Sequence, residues 1–397
     1  MRSIYIFLII LGIDAIVLFL EASGLSISYR EANILHSHFS FLQSIEHFSF
    51  LLFSKNDFAL RLPMVLFHFM SCILLFKISK RYLKYDRDRV WLMLVFVLLP
   101  GVTSSAILVD SASFLIFGLL LFIYLYEKIS KKYIYLLLTS YMLLDGGFVY
   151  LFFSLIFYAL HKKDRYLLAF NLTMFISSML LYGINTEGLP EGHFLDTIGI
   201  YSAIFTPVIF IYIFYVLYKR YLTKKIELLW FISSITFLLS LLLSFRQRID
   251  IEHFAPYLII ALPLVAQTFS SSYRVRLKIF RTKYRILFIA SLIFLFINSF
   301  FMLLNKNMYL FLDDPQKHFA YKMHVAKELA QELKDKNITC INTKKQMQTR
   351  LEFYDISKCQ NILLATCNAK NNKSDYVTIS YKDKPIYNGC VTIINNK

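Results

Sequence analysis

The sequence predicts an all-α polytopic membrane bundle of about eleven transmembrane helices, with a small C-terminal α/β domain on the extracytoplasmic side. Three observations predict it. Of 397 residues, 57% are hydrophobic and 17% aromatic while only 17% are charged, a balance that soluble domains of this size do not show. Apolar runs approaching the roughly 20 residues that a bilayer core of about 30 Å demands recur along the chain. Short basic connections alternate with connections that carry the acids and histidines.

The runs are Ile4–Leu20, Leu62–Ile78, Val90–Leu108, Ser111–Tyr126, Tyr133–Leu144, Phe148–Leu160, Tyr166–Ile184, Tyr201–Tyr218, Ile226–Ser244, Phe254–Thr268 and Ile286–Leu304. The fifth and sixth are short, and are read either as one hairpin or as a re-entrant pair; Asp145-Gly146-Gly147 between them predicts a tight turn. No small-residue cleavage pattern follows the first run, so it is expected to be a retained helix.

Lys77–Arg89, Lys128–Lys132, Lys162–Arg165, Lys219–Lys225 and Arg274–Arg285 are the basic connections, and the positive-inside rule assigns all five to the cytoplasm. With eleven spans this puts the N-terminus inside and the tail outside. The formal charge of +17 is then carried largely by loops facing anionic lipid, which disfavours nucleic acid as a partner. The other face receives residues 21–61, the turn at Asp110, Asp145, the loops 185–199 and 245–253, and everything from Asn305 onward. A site on that side is cut off from cytoplasmic nucleotide-activated donors, which points to a lipid-borne substrate.

Residues 1–304 are expected to form the transmembrane domain, with an outer juxtamembrane segment at 24–61, and residues 305–397 a soluble extracytoplasmic domain. In that tail, Lys317–Lys336 has helical apolar spacing, and the apolar runs Ile338–Ile341, Ile362–Ala365, Tyr376–Ile379 and Cys390–Ile394 read as strands. Four of the five cysteines, Cys340, Cys359, Cys367 and Cys390, lie there, while Cys72 sits in a span. An even count in an oxidising compartment predicts two disulfides, with three pairings open; a zinc site is the rival, but no Cys-x-x-Cys knuckle occurs.

The segment Ser26–Pro63 (SISYREANILHSHFSFLQSIEHFSFLLFSKNDFALRLP) is the polar, aromatic-laced stretch between two spans where chemistry is expected. Glu31 is the first candidate for a general base, with Asp110 second. Asp57 and Arg61, Arg246, Arg248 and His253 on a later outer loop, and Glu191 with His193 in a Gly/Pro-rich loop are candidates for substrate binding. Each has a bland alternative. Glu31, Asp57 and Asp110 fit helix capping, Arg61 a helix-end anchor, and His36, His38 and His47 interfacial amphipathicity better than a metal site. Asp14, inside the first span, is expected to face the bundle or a water pocket, either pairing internally or orienting a lipid carrier. No metal site is assigned and no cofactor is implied beyond a divalent cation of unspecified identity. No Walker loop, dinucleotide fingerprint or Ser/His/Asp signature occurs.

An apolar first helix, an outer segment with an acid just after it, and Asn56-Asp57-Phe58-Ala59-Leu60-Arg61-Leu62-Pro63 entering the second span resemble the opening of the GT-C glycosyltransferases of the protein-mannosyltransferase and aminoarabinose-transferase type. Pro100–Asp110 resembles the segment that carries those enzymes' second acid, and Arg248–Pro263, which includes Tyr257, their late "H/R…YLLPLLP" segment. Where the family shows an acidic pair in the first loop, this chain has Arg30-Glu31-Ala32. The resemblance implies a bacterial cytoplasmic (inner) membrane enzyme with a GT-C-like bundle. It would move a sugar from a polyprenyl-phosphate-linked donor to a lipid, glycan or protein acceptor, with Arg30 and Tyr257 among the substrate contacts. The alternatives are a lipid-carrier or glycan transporter or flippase, whose usual two-fold hydropathy repeat is not found here, and a non-catalytic envelope assembly protein that retains the fold.

Overall fold

The computed structural model describes residues 2–36, 40–183, 191–366 and 375–393. The chain divides into two compact units, Met1–Leu18 with Arg61–Ser299, and Phe19–Leu60 with Phe300–Lys397.

The described residues of the first unit are mainly helical, and each of the eleven expected runs falls largely on helix, though several are broken within. Among the described residues, five helices are long and apolar enough to cross a membrane alone, seven if each bent pair counts as one span; Ser111–Tyr126, Gly146–Lys162 and Leu228–Ser244 are shorter apolar helices. The helices depart from straight spans where the backbone chemistry demands it. Asp86–Leu98 and Pro100–Ile107 meet at 60°, because a proline supplies no N–H to continue the ladder. The expected span Tyr201–Tyr218 is two helices, Phe194–Phe205 and Pro207–Leu222, bent by 105° at Thr206, whose φ is +62° ahead of Pro207.

The Asp145-Gly146-Gly147 turn forms as expected. Gly147 N–H donates to Asp145 Oδ1 at 2.7 Å, and the buried Tyr257 hydroxyl donates to the Gly147 carbonyl at 2.7 Å. A Cβ on Gly147 would meet Leu115 at 2.5 Å, so the close approach of the turn to the neighbouring helix requires glycine.

The basic connections meet one another through ion pairs. Arg81 pairs with Glu127, Arg274 with Asp88, and Lys131 with Asp164 at 2.7 Å. Four of the five connections that the charge rule assigns to one side, all but Lys219–Lys225, are therefore joined at one end of this unit. Apolar side chains such as Ile9, Ile13 and Ile16 on the first helix stay exposed, a surface suited to lipid and costly in water.

The second unit joins the segment after the first helix to the tail. Its sheet has the order β1-β2-β4-β3, with β1 (Cys340–Asn342) parallel to β2 (Ser357–Thr366), and β4 (Lys384–Ile393) antiparallel to both β2 and β3 (Asp375–Tyr381). The helix Ala326–Asp335 lays Leu329, Ala330 and Leu333 on a core completed by Ile341, Leu351, Ile356, Leu364 and Val377. It begins nine residues later than the expected Lys317, because 315–323 is occupied by short 3₁₀ turns. Cys340 and Cys359 form a disulfide across β1 and β2, and Cys390 is also disulfide-bonded. The remaining tail cysteine, Cys367, lies outside the described residues, so the second pairing is not defined.

Candidate active site

Ser28-Tyr29-Arg30-Glu31 opens the helix Tyr29–His36 as a capping box. Ser28 N–H donates to Glu31 Oε2 at 2.8 Å, and Glu31 N–H donates to Ser28 Oγ at 3.2 Å. The cap holds the Glu31 carboxylate in the interior, 2% exposed, while Arg30 points outward and is exposed.

The next helix, Phe41–Phe53, starts at Ser40, whose hydroxyl accepts from Gln43 N–H at 3.2 Å. On its inner face lies Glu46, 0% exposed, with neither carboxylate oxygen hydrogen-bonded among the described residues. Burial and then the charge of Glu31 push the Glu46 carboxyl up to about 8. Two buried carboxyl groups thus act on each other in this unit, one committed through an oxygen to a cap and one uncommitted. Glu46 is not among the site residues expected from the sequence. The signal available was a lone acid on the inner face of a thirteen-residue helix that is otherwise apolar or neutral apart from His47.

Tail residues hold this segment in place. Arg350, buried on the helix Lys345–Phe353, donates from Nε to the Ile27 carbonyl at 2.8 Å. From Nη2 it donates to Ser26 Oγ at 3.2 Å and the His324 carbonyl at 2.6 Å. Ser26 N–H donates to the Met323 carbonyl at 3.0 Å. The Tyr354 hydroxyl accepts from Ile27 N–H at 2.9 Å and donates to Asp57 Oδ1 at 2.5 Å. Asp57, buried in the first turn of Asp57–Tyr82, is also paired with Lys327 at 2.9 Å, while Asn56 caps that helix by accepting from Ala59 N–H at 2.7 Å. A polar cavity of about 540 Å³ opens beside Asp57, lined by Lys55, Lys327, Lys334, Tyr354 and Asp355.

In the helical unit, Asp110 is an N-cap whose Oδ1 accepts from Ala112 N–H at 2.9 Å, and the next residue, Ser111, donates to Asp145 Oδ2 at 2.7 Å. The two outer loops chosen from sequence come together. Glu191 N–H donates to the Arg246 carbonyl at 3.1 Å, His193 N–H to the Ser244 carbonyl at 2.8 Å, and Phe194 stacks on Phe245. The side chains of Arg246 and Arg248 are exposed and His253 is half-buried; His193 lies 3.3 Å from Asp196. Arg61 is completely buried, and Tyr257 is taken up by the Gly147 carbonyl. Residues 184–190 of the Gly/Pro-rich loop lie outside the described residues, as does His38; His36 Nδ1 contacts the Ala32 carbonyl at 2.7 Å and His47 meets Phe50 edge-on.

A second cavity, about 1100 Å³, is lined by Trp91, Tyr212, Phe269 and Phe288, with Arg87 and Arg274 from the basic connections. It is wide and apolar enough to receive a hydrocarbon chain.

A bundle of broken helices, a segment of two short helices bearing buried acids and a small disulfide-bonded sheet are the parts of a polytopic membrane protein with the GT-C-like fold. The solved structures it is similar to include ArnT, the aminoarabinose transferase, from Cupriavidus metallidurans. The apo form is 11% identical with a TM-score of 0.54, covering 98% of this chain and 97% of that one. The form bound to undecaprenyl phosphate is 10% identical with a TM-score of 0.57, covering 99% and 98%. No protein-family model matches the chain, and no curated protein matches it.

Proposed function

We propose that the protein is a membrane glycosyltransferase that moves a sugar from a polyprenyl-phosphate carrier to an acceptor at the extracytoplasmic face of the bacterial inner membrane. The observation that carries the proposal is Glu46, a fully buried carboxyl without a hydrogen bond, raised to about 8 beside Glu31. Near neutral pH most of this group keeps its proton, so the ionised fraction, which grows as pH rises towards 8, is the form that accepts a proton. In the reaction, the acceptor oxygen or nitrogen bonds the anomeric carbon and the bond from that carbon to the phosphate oxygen breaks. The electron pair leaves with polyprenyl phosphate, and the acceptor proton passes to Glu46. Glu31 tunes that proton affinity, and Asp110 is the second acid. Arg246, Arg248 and His253 answer the charge of the departing phosphate; Arg30, Asp57, Arg61, Tyr257, Glu191 and His193 remain the wider substrate-contact set.

The likeness to an ArnT structure bound to undecaprenyl phosphate supports a carrier of that class. The Cys340–Cys359 disulfide supports an extracytoplasmic tail. One observation favours a second reading, a carrier-binding protein without turnover: Glu31, Asp57 and Asp110 all have carboxylate oxygens engaged in caps or an ion pair.

The test uses the full chain in nanodiscs with a panel of polyprenyl-phosphate sugars and a membrane extract as acceptor source, reading released polyprenyl phosphate by mass spectrometry. Wild type should release it, and Glu46→Gln should do so about 10²-fold more slowly. Tight binding of polyprenyl phosphate with no release from any donor would establish the second reading.

A further inference from the structure

Asp14, His68 and Cys72 converge inside the helical unit. Asp14 comes from the helix Arg2–Gly24, and His68 and Cys72 lie one helical turn apart on Asp57–Tyr82, which puts both on the same face. All three are buried, Cys72 completely. His68 Nε2 lies 2.8 Å from Asp14 Oδ2 and 3.6 Å from Cys72 Sγ, and the three donor atoms fall within 4.8 Å of one another. We propose that Asp14, His68 and Cys72 form a three-ligand site for a divalent transition metal of the zinc class, bracing the first helix against the helix Asp57–Tyr82.

Geometry supports this. Bond lengths of about 2.0–2.1 Å to imidazole nitrogen and about 2.3 Å to thiolate sulfur at a tetrahedral angle place the two donors about 3.6 Å apart. That is the spacing the helix already sets between His68 and Cys72. The corresponding nitrogen to carboxylate-oxygen edge is about 3.4 Å, so the Asp14–His68 contact has to open by only about 0.6 Å, within the reach of a carboxylate rotation.

Charge supports it as well. A divalent ion with one carboxylate, one thiolate and one neutral imidazole sums to zero, the condition under which ionised groups are tolerated deep in a bilayer. The donor set discriminates: a thiolate and an imidazole suit zinc or cobalt, whereas magnesium and calcium require oxygen. Phe96 stacks parallel to the His68 ring at 5.9 Å and is itself fully buried, which shields the position from water.

The experiment uses the full chain without an affinity tag, in nanodiscs, stripped with a chelator and titrated with Co²⁺. The expected result is one equivalent bound, with a thiolate-to-cobalt charge-transfer band and the visible bands of tetrahedral cobalt, both abolished by Zn²⁺. Cys72→Ser should remove the charge-transfer band, and Asp14→Asn should weaken binding by about 10-fold or more. Because these variants risk misfolding, a second readout uses wild type alone: zinc should slow alkylation of Cys72 by an apolar maleimide. A wild-type spectrum without the thiolate band, a band that survives Cys72→Ser, or alkylation at the same rate with and without zinc would each overturn the proposal.

Discussion

Replacing Glu46 with Gln tests whether a carboxyl is held in the fold at a cost to stability. The group rises from 4.5 to about 8, so at pH 7 roughly nine in ten folded molecules keep the proton while the unfolded chain has lost it. A raised folded value means that the folded state is undisturbed below about 4.5 and loses stability as pH climbs through about 8. At about 1.4 kcal/mol per unit, the loss approaches 5 kcal/mol at alkaline pH and about 3 kcal/mol at pH 7. Gln fills nearly the same volume without a titrating proton, so Glu46→Gln should match wild type near pH 4.5 and exceed it progressively as pH rises. Differential scanning fluorimetry in nanodiscs from pH 5 to 9 reads this as a Tm gap that widens with pH. The same variant should transfer sugar about 10²-fold more slowly, since a stabilising change that removes activity marks a residue kept for function. A Tm gap independent of pH, or one of opposite sign, would refute the reasoning about burial.

Three further outcomes follow from the second unit. Arg350→Ala removes three hydrogen bonds at once and leaves the Ile27 and His324 carbonyls unanswered, so it should cost about 3 kcal/mol and speed proteolysis within residues 26–60. Burial and the nearby Lys306 charge hold His324 down at about 3; a depressed folded value means stability intact above about 6.5 and lost as pH falls towards 3. Wild type should therefore lose structure in acid over that window, and His324→Gln should show a flatter acid limb in circular dichroism. Reducing Cys340–Cys359, which closes a loop of 19 residues, should lower stability by about 3 kcal/mol, read as a shift in urea midpoint with and without reductant.

The parts of the fold written as long-wavelength patterns were legible in the sequence. Apolar runs located the bundle helices but not all their bounds, since Phe194–Phe205 begins inside an expected loop, and charge grouped loops that the Arg81–Glu127, Arg274–Asp88 and Lys131–Asp164 pairs join. Breaks inside apolar runs were not legible: hydropathy is blind to the bend at Thr206, although Pro207 marked the place. The helix Lys345–Phe353 was missed because its pattern is inverted. Gln348 and Arg350 are buried, so its inward face carries polar groups that no apolar periodicity reveals. Glu46 escaped for the converse reason, since a single acid in FLQSIEHFSFLLF reads as part of an amphipathic surface until tertiary packing closes over it.

Closing over Glu46 requires more than the outer segment itself provides. Tyr29–His36 and Phe41–Phe53 are two short helices of eight and thirteen residues, lengths at which isolated helices are marginal. Their backbone ends are fixed by groups supplied from more than 290 positions away, and one atom joins both ends of the segment. The Tyr354 hydroxyl takes the Ile27 proton and gives its own to Asp57, fastening the start of the Glu31 helix to the start of the helix that follows Glu46. Arg350 adds a buried guanidinium from the adjoining tail helix, hydrogen-bonded to the Ile27 carbonyl and Ser26 Oγ at the start of the segment whose Glu31 helps raise Glu46. The tail therefore fixes, from positions remote in sequence, the backbone on which Glu31 and Glu46 are presented.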